Sequence, residues 1–135
     1  TRRVQGEYVI TAKELAAGKR FWDVVVHKAE FIVDIHNPAG AGQAEDKIQY
    51  VVPYDLPYRC FVPLKVENLL TAGRCISGTH RAHASYRVMS ICMAMGEAAG
   101  TAAALCIKEG CTPRSLEVKK LQDVLTEKGV DLFSE

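Results

Sequence analysis

The sequence has little of several features that mark particular classes of protein. Aromatic residues make up 7% of its 135 residues, and 17 Lys and Arg against 16 Asp and Glu leave a formal net charge of +1. This balance argues against a domain that binds nucleic acid through bulk electrostatics. A hydrophobic content of 48% with 24% charged residues excludes a disordered chain, and the length is that of about one domain.

The cysteines do not form a recognisable framework. There are five, an odd number, at positions 60, 75, 92, 106 and 111, with no C-x-x-C pair. This spacing argues against a disulfide scaffold, a zinc knuckle or any other metal site, and it favours buried free thiols in a reducing compartment. The chain begins Thr1-Arg2-Arg3-Val4, without an initiator Met or a signal-peptide core. We therefore expect a cytoplasmic protein whose true N-terminus is absent.

One segment is long enough to cross a membrane. Residues 88–107 contain a single charge, Glu97, but they are rich in Ala, Gly, Ser and Thr rather than Leu, Ile and Phe. A carboxylate near the middle of a membrane helix costs about 2.5–3.5 kcal/mol, which Ala and Gly do little to offset. The segment therefore predicts a buried helix of a soluble domain, with Met93 and Met95 in the core and Glu97 partly buried and hydrogen-bonded.

The first half of the chain predicts mainly strands. Residues 7–11, 31–36 and 48–53 read as strands, and the proline-bracketed stretch 57–63 reads as an edge or crossing strand. Thr11 and Glu14 form a capping box that begins a short helix ending at Gly18. Residues 22–26 fit either a strand or the start of a helix.

The second half predicts a short apolar strand, a polar loop and two helices. The strand covers 69–73, and the loop covers 77–85. A long helix follows over 88–109 and is closed by Gly110; its small residues Gly96, Gly100 and Ala104 form a ridge that another backbone can approach closely. An amphipathic helix then runs from Ser115 to Gly129.

The unit that carries chemistry is the strand, the Gly73-Arg74 pair, the polar loop and the start of the long helix. A glycine at the strand end lets a ligand approach the backbone, and a helix N-terminus offers unpaired N–H groups and a positive dipole. Arg74 and Arg87 bracket this region in sequence. The pattern suits an anionic or electron-rich ligand, with a strand–helix unit that only packs as the alternative. The loop favours the ligand because its His80, Arg81 and His83 exceed what a connector needs.

Four stretches resemble the C-terminal part of bacterial FAD-dependent oxidoreductases. They are residues 58–63 (YRCFVP), 68–77 (NLLTAGRCIS), 87–89 (RVM) and 93–104 (MAMGEAAGTAAA). Residues 6–11 (GEYVIT) and 34–38 (DIHNP) are similar to the middle region of the same family. The resemblance covers nearly the whole chain, and the 58–104 region is its most specific part.

The resemblance implies a flavoprotein of the glutathione-reductase-like type, with FAD as cofactor. It places Gly73 and Arg74 beside the pyrophosphate and ribityl chain. Relatives usually carry Asp after this glycine, so Arg74 favours a phosphate contact over a ribityl hydroxyl. The backbone N–H groups of Val88 and Met89 are expected at flavin O2, where the helix dipole would stabilise the reduced flavin. Arg87 and Gly96 complete the expected cofactor-binding set.

The resemblance also implies that these residues are the tail of a longer chain. The dinucleotide-binding fingerprint G-x-G-x-x-G is missing, since Gly40 and Gly42 are followed by Glu45 rather than a third glycine. The expected fold class is α/β, or α+β within this fragment: substrate-side strands, then the last strand and long helix of a Rossmann-like FAD domain, then a C-terminal helix. The expected divisions are 1–56 in a substrate domain, 57–112 in the FAD-binding domain and 113–135 as the final helix.

The expected catalytic residues are His36, His80, His83 and Arg59. Asp34 and His36 share one strand face and can hydrogen-bond to each other or line a pocket. His80 and His83 lie in the loop over the expected flavin, where they are either substrate contacts or solvated loop residues. Arg59 either clamps a substrate carboxylate or pairs with a neighbouring acid.

The expected function is hydride transfer between a small-molecule substrate and flavin N5 in the intact enzyme. The rest of its own chain is the expected partner, and neither nucleic acid nor membrane is. One alternative is a non-catalytic fragment or interaction module of flavoprotein ancestry that does not bind FAD alone. A second is a thiol-dependent redox protein using Cys60 or Cys75, of which Cys75 beside Arg74 is only a weak thiolate candidate.

Overall fold

The computed structural model describes residues 3–42 and 49–134. Its helices are α1 (Ala12–Ala16), α2 (His80–Tyr86), α3 (Met89–Glu109) and α4 (Val118–Glu127), and its two strands are β1 (Val24–Ala29) and β2 (Tyr54–Pro57). Short 3-10 helices cover Tyr58–Cys60, Gly73–Cys75 and Pro113–Ser115. Helices around a small antiparallel sheet make an α+β arrangement, in agreement with the class expected for this stretch of chain.

The sheet is the centre of the core. β1 pairs with β2 in antiparallel register, with Val24 opposite Pro57 and Ala29 opposite Tyr54. Two register irregularities interrupt the pairing, and all four residues of β2 are buried. Residues 22–26, for which a strand and the start of a helix were both possible, therefore lead into strand β1. Their apolar valines pack under α3, which lies across β1.

The long helix α3 was predicted within one residue of its bounds. It ends at Gly110, whose φ of +65° is the left-handed conformation that glycine adopts without strain. The N–H of Cys111 then donates to the carbonyl of Cys106 at 3.0 Å, the hydrogen bond that closes this type of helix end. α3 packs against both β1 and α4.

Only one face of α3 is buried. Met95 is fully buried, as predicted, but Met93 is 74% exposed and Ile107 is 84% exposed. Glu97 is also exposed, so the prediction of a partly buried acid is wrong. A side chain added at Gly96 or Gly100 would meet no described atom within 4 Å of its Cβ. The small-residue ridge thus lies on the helix face turned away from the core of the described chain.

The length and composition of α3 would also suit a membrane-spanning helix. An 18-residue stretch of it has a mean hydropathy of 1.5, and about a third of that stretch is buried. A helix that packs on a sheet and a second helix passes the same test of length and composition. Its contacts with β1 and α4 cover one face, and the opposite face is exposed in the described chain.

α4 is held to the sheet by apolar and polar contacts. Leu121 and Leu125 are buried, as their helical spacing predicted. The side-chain amide of Gln122 donates to the backbone carbonyls of Trp22 at 2.9 Å and Val24 at 3.0 Å. The C-terminal helix therefore packs into the same core as the strands.

Two segments have a different local structure from the predicted one. Residues 57–63 were expected to be extended, but the chain turns into a 3-10 helix at Tyr58–Cys60 directly after β2. Residues 77–85 were expected to be a loop, but they contain α2, which Thr79 caps by accepting from the N–H of Ala82 at 3.3 Å. The Thr79 cap begins this helix, and Arg81, Ala82 and Ala84 are strong helix formers that continue it.

Four predicted strands are reduced to isolated bridges or lost in the described chain. Ile10 in the 7–11 segment forms one bridge, and Gly6, just before the segment, forms another. The 31–36 segment is bridged from Val33 to Gln49. Ile48, the start of the strand predicted over 48–53, lies outside the described residues, and 49–53 form no strand. The 69–73 segment forms no strand within residues 49–134; the N–H of Thr71 donates to Phe61 at 2.9 Å and Gly73 starts a 3-10 helix.

Candidate functional site

Three of the expected catalytic residues meet in one cavity. It encloses about 340 Å³ and is lined by Asp34, Ile35, His36, Pro38, His80, His83, Ala84 and Arg87. We call it the histidine cavity. The capped helix α2 supplies His80 and His83, and the segment after β1 supplies Asp34 and His36. The unpredicted helix thus brings His80 and His83 together with Asp34 and His36.

Asp34 organises one wall of the histidine cavity. Its carboxylate accepts from Nε2 of His36 at 3.0 Å and lies 3.4 Å from Nη2 of Arg87. The same Nη2 also donates to the Asp34 backbone carbonyl at 2.9 Å. The sequence-based prediction that Asp34 and His36 hydrogen-bond to each other therefore agrees with the structure.

His83 lies in an electrostatic environment that opposes its protonation. Burial of the imidazole lowers its pKa below the ordinary value, and the positive charges of Arg3, Arg87, His80 and Arg74 lower it further. The ring meets the Tyr86 ring edge-on, with centroids 5.6 Å apart. Among the described residues, neither ring nitrogen of His83 has a hydrogen-bond partner. A neutral imidazole with open nitrogens can accept a proton or a hydrogen bond from a ligand.

A second cavity lies where the 3-10 helix at Gly73–Cys75 meets the start of α3. It encloses about 430 Å³ and is lined by Gly73, Arg74, Met89, Cys92 and Met93. We call it the Gly73 cavity. Gly73 has a φ of +64°, and a Cβ built there would meet only the Cys92 side chain, at 3.5 Å from its sulfur. Glycine is thus required for the backbone turn, and it leaves the cavity floor bare.

The N-terminus of α3 is open toward this region. Val88 is the residue before the helix and supplies no side-chain cap, and the first intrahelical bond runs from the Cys92 N–H to the Val88 carbonyl at 2.9 Å. Helices leave their first N–H groups without intrahelical partners, and the dipole is positive at this end. A third cavity of about 390 Å³, lined by Arg74, Arg87, Val88 and Met89, continues from the same helix end.

Arg87 links the two regions, because it lines both the histidine cavity and the cavity at the start of α3. The Arg74 guanidinium lies next to it, with Nε 3.4 Å from the Arg87 carbonyl oxygen. The two arginines that bracket the loop in sequence are therefore neighbours in space. Gly96 lies two turns further along α3, outside the residues that line these cavities.

Arg59 lies outside these cavities. Its Nε and Nη2 donate to the two carboxylate oxygens of Asp23 at 2.8 and 3.1 Å, and Asp23 is fully buried. The guanidinium also lies over the rings of Tyr8 and Trp22, at 4.9 and 5.4 Å. Of the two alternatives for Arg59, pairing with a neighbouring acid is the one that the structure contains.

Sequence reasoning missed a second buried ionic group. Asp55 on β2 is buried and accepts from Arg20 at 2.8 Å, and its Oδ1 lies 2.8 Å from Nδ1 of His27. Nε2 of His27 is 2.9 Å from the carbonyl oxygen of Ser134. An oxygen lies within hydrogen-bond distance of each ring nitrogen of His27, so this side chain links β1 to Asp55 and to Ser134. The partners lie 28 and 107 positions apart, so no local pattern reveals this group.

The comparisons with known proteins place the chain in a family. Neither the curated proteins nor the solved structures compared with it gave a match. A family model described as FAD dependent oxidoreductase matches residues 1–125, which is most of the chain. The chain therefore belongs to the FAD-dependent oxidoreductase family, whose cofactor is FAD.

Proposed function

We propose that this chain is the flavin-proximal, C-terminal part of a cytoplasmic oxidoreductase of the glutathione-reductase-like type. The observation that carries the proposal is the pairing of the Gly73 cavity with the open N-terminus of α3 in a chain of this family. The 57–112 segment would close the FAD-binding domain, and the 1–56 segment would cover the substrate side. The missing G-x-G-x-x-G motif supports a cofactor site completed by another part of the parent chain.

The residues present fit one half of an FAD site. Gly73 has no side chain, so backbone forms the floor of the Gly73 cavity, and a Cβ there would narrow the cavity. Met89 and Met93 provide apolar walls beside it. Arg74 is exposed at the rim and supplies a cation. A bare backbone, an apolar slot and one cation suit a flat aromatic system linked to a phosphate.

Bound FAD would supply the redox chemistry, by exchanging a hydride with a substrate carbon through N5 of its ring. Arg74 would pair with a phosphate of the cofactor, which its guanidinium can contact through two N–H groups. The N–H groups of Val88 and Met89 would donate to a carbonyl oxygen at the flavin edge. The positive end of the α3 dipole would stabilise negative charge at that point.

The histidine cavity would hold a small-molecule substrate beside the cofactor. Its volume of about 340 Å³ is within the range of sites for small ligands. Arg87 borders both regions, so a molecule in the histidine cavity would lie next to the flavin side. His83 lines this cavity with its pKa lowered by burial and by nearby cations, and it would contact the substrate and exchange a proton with it. His36 and His80 would contact and orient the substrate.

The test is a titration of the FAD-free full parent enzyme with FAD, followed by the shift of the flavin absorbance bands and by quenching of flavin fluorescence. We expect Arg74→Met to weaken FAD binding about tenfold, since a charge-assisted hydrogen bond contributes about 1.5–3 kcal/mol. Lys13→Met is the matched control, because Lys13 is an exposed cation on α1, outside the Gly73 cavity. It should leave the affinity unchanged.

The outcomes separate the proposal from its rivals. Equal affinity of the Arg74→Met protein and the control contradicts the phosphate contact. A protein that stays colourless with FAD favours the non-catalytic fragment or interaction module. Cys60→Ser and Cys75→Ser in the full enzyme test thiol chemistry, and we expect both to retain activity.

A further inference from the structure

We propose that the histidine cavity binds a carboxylate group of the substrate, with Arg87 and His83 as its principal donors. The inference rests on the proposed function, because it assigns a substrate class to the cavity beside the flavin side. It concerns binding alone, so it can be tested without FAD and without turnover.

The first argument is the charge around the cavity. His83 is surrounded by the positive charges of Arg3, Arg74 and Arg87, and His80 adds to them when it is protonated. Among the described residues that line the cavity, Asp34 is the only carboxylate, and it already has the Arg87 guanidinium and the His36 imidazole as partners. The fixed charges therefore leave a positive excess, which a bound anion would neutralise.

The second argument is the supply of donors. Within the described chain, the side-chain hydrogen bonds of Arg87 all use Nη2. Its Nη1 and Nε are therefore left for a ligand. The ring nitrogens of His83 are likewise without partners there, and His83 is only partly exposed. A planar guanidinium edge and a neighbouring imidazolium match the two oxygens of one carboxylate.

The third argument is that an anion would change the state of His83. The neighbouring cations oppose its protonation, and a bound carboxylate would screen them and accept a hydrogen bond from the imidazolium. Carboxylate binding and proton uptake by His83 are then linked, and each must favour the other. The substrate would thus set the protonation of the residue that faces it.

The cavity wall favours a carboxylate over a phosphate. Ile35, Pro38 and Ala84 give it apolar surface, which suits a carbon skeleton attached to the charged group. Asp34 stands in the same wall and would repel the second negative charge of a phosphate dianion. We place the phosphate contact of the cofactor at Arg74 instead, on the rim of the Gly73 cavity.

The experiment follows the imidazole C2 proton of His83 by nuclear magnetic resonance in the FAD-free protein. Succinate is the probe, and succinamide, which has the same skeleton without charge, is its control at matched ionic strength. Comparison with the His83→Gln protein identifies the His83 resonance among the four histidines. We expect saturable shifts with succinate alone and a rise in the pKa of His83 when succinate is bound.

Arg87→Met should weaken succinate binding about tenfold or more, whereas Lys13→Met should not change it. Circular dichroism spectra would establish that each variant is folded. An unshifted His83 resonance up to high succinate concentrations overturns the proposal. So does a site that responds to inorganic phosphate but not to succinate, which would mark it as a cofactor phosphate site. Because FAD binding is measured separately, the failure of this proposal and that of the cofactor site remain distinct.

Discussion

A carboxylate removed from water needs a cation, and Asp23 depends on Arg59 for it. Asp23 is fully buried, while the Arg59 side chain is 31% exposed. We expect Arg59→Met to destabilise the protein by about 3 kcal/mol, since it leaves a buried charge without its partner. Urea denaturation measures this, with Lys119→Met as control because its pair with Asp123 is exposed and contributes little. Equal losses in the two variants would contradict the structural role of Arg59.

The thiols should differ in reactivity according to burial. Burial raises the pKa of Cys60 to about 12 and also raises that of Cys92, whereas Cys75 is exposed. The thiolate is the reactive form, so we expect iodoacetamide to modify Cys75 first and Cys60 last in the folded protein. Peptide mass spectrometry after timed labelling measures how fast each cysteine is modified. Early modification of Cys60 in folded protein would show that its burial is incomplete.

At the residue scale, sequence reasoning succeeded where the chemistry is local. His36 and Asp34 are two positions apart, and Gly73 and Arg74 are adjacent, so their proximity follows from the chain itself. Arg59 and Asp23 lie 36 positions apart, and His27 and Asp55 lie 28 apart. Such pairs depend on the packing of β1 against β2, which one sequence does not specify. Arg3 near His83 was missed for the same reason.

At the scale of elements, the capping box makes α1 sensitive to acid. Burial raises the pKa of Glu14, but hydrogen bonds from Lys19, Tyr8 and Thr11 outweigh this effect and lower it to about 2. A carboxyl with a lowered pKa stabilises the fold above its unfolded value of about 4.3. That contribution should be lost as the pH falls from about 4.3 toward 2.

Glu14→Gln tests this dependence directly. We expect the variant to be less stable at neutral pH, by about 1 kcal/mol for the lost cap and ion pair, and to lose less stability than the parent protein as the pH falls. Urea midpoints measured between pH 2 and 7 give the comparison. Glu127→Gln, at the exposed end of α4, is the control. Identical pH profiles for the parent protein and Glu14→Gln would contradict the low pKa.

The two methionines of α3 provide a matched pair. Met95 is fully buried, and Met95→Ala should cost about 3 kcal/mol in unfolding free energy because it leaves a cavity. Met93 is 74% exposed, so Met93→Ala should change stability by less than about 0.5 kcal/mol. Thermal denaturation of the two variants measures both. A large cost at Met93 would mean that the outer face of α3 is covered in solution.

Helices were easier to predict than strands for a physical reason. The capping box at Thr11, the small-residue run closed by Gly110 and the apolar spacing of α4 are local signals, and each marks a real element. A strand needs a partner, and the alternation over 31–36 forms isolated bridges, such as the one from Val33 to Gln49, rather than a continuous strand. α2 escaped prediction because four of its seven residues are polar, and its cap at Thr79 was read as part of a loop.

At the scale of the whole molecule, one core joins the parts that the sequence divided. The buried apolar cluster includes Leu15 and Val25 from the first predicted segment, Met95 from the second and Leu121 from the third. Residues 1–56, 57–112 and 113–135, which were predicted as separate parts, thus depend on each other for burial. The proposed flavin site would benefit, because packing fixes the start of α3 relative to the histidine cavity.

The shared core predicts that these residues unfold together. We expect near-ultraviolet circular dichroism, which reports the buried rings of Tyr54, Tyr58 and Tyr86, to lose signal in urea along the same curve as the far-ultraviolet helix signal. Gln122→Ala should shift both curves equally, by about 1–3 kcal/mol, since it removes the donor to the buried Val24 carbonyl and to the part-buried Trp22 carbonyl. Asp123→Ala, an exposed neighbour on α4, should shift neither. If Gln122→Ala moved the helix signal alone, α4 would be a separate unit, and the final helix would not help to hold the site.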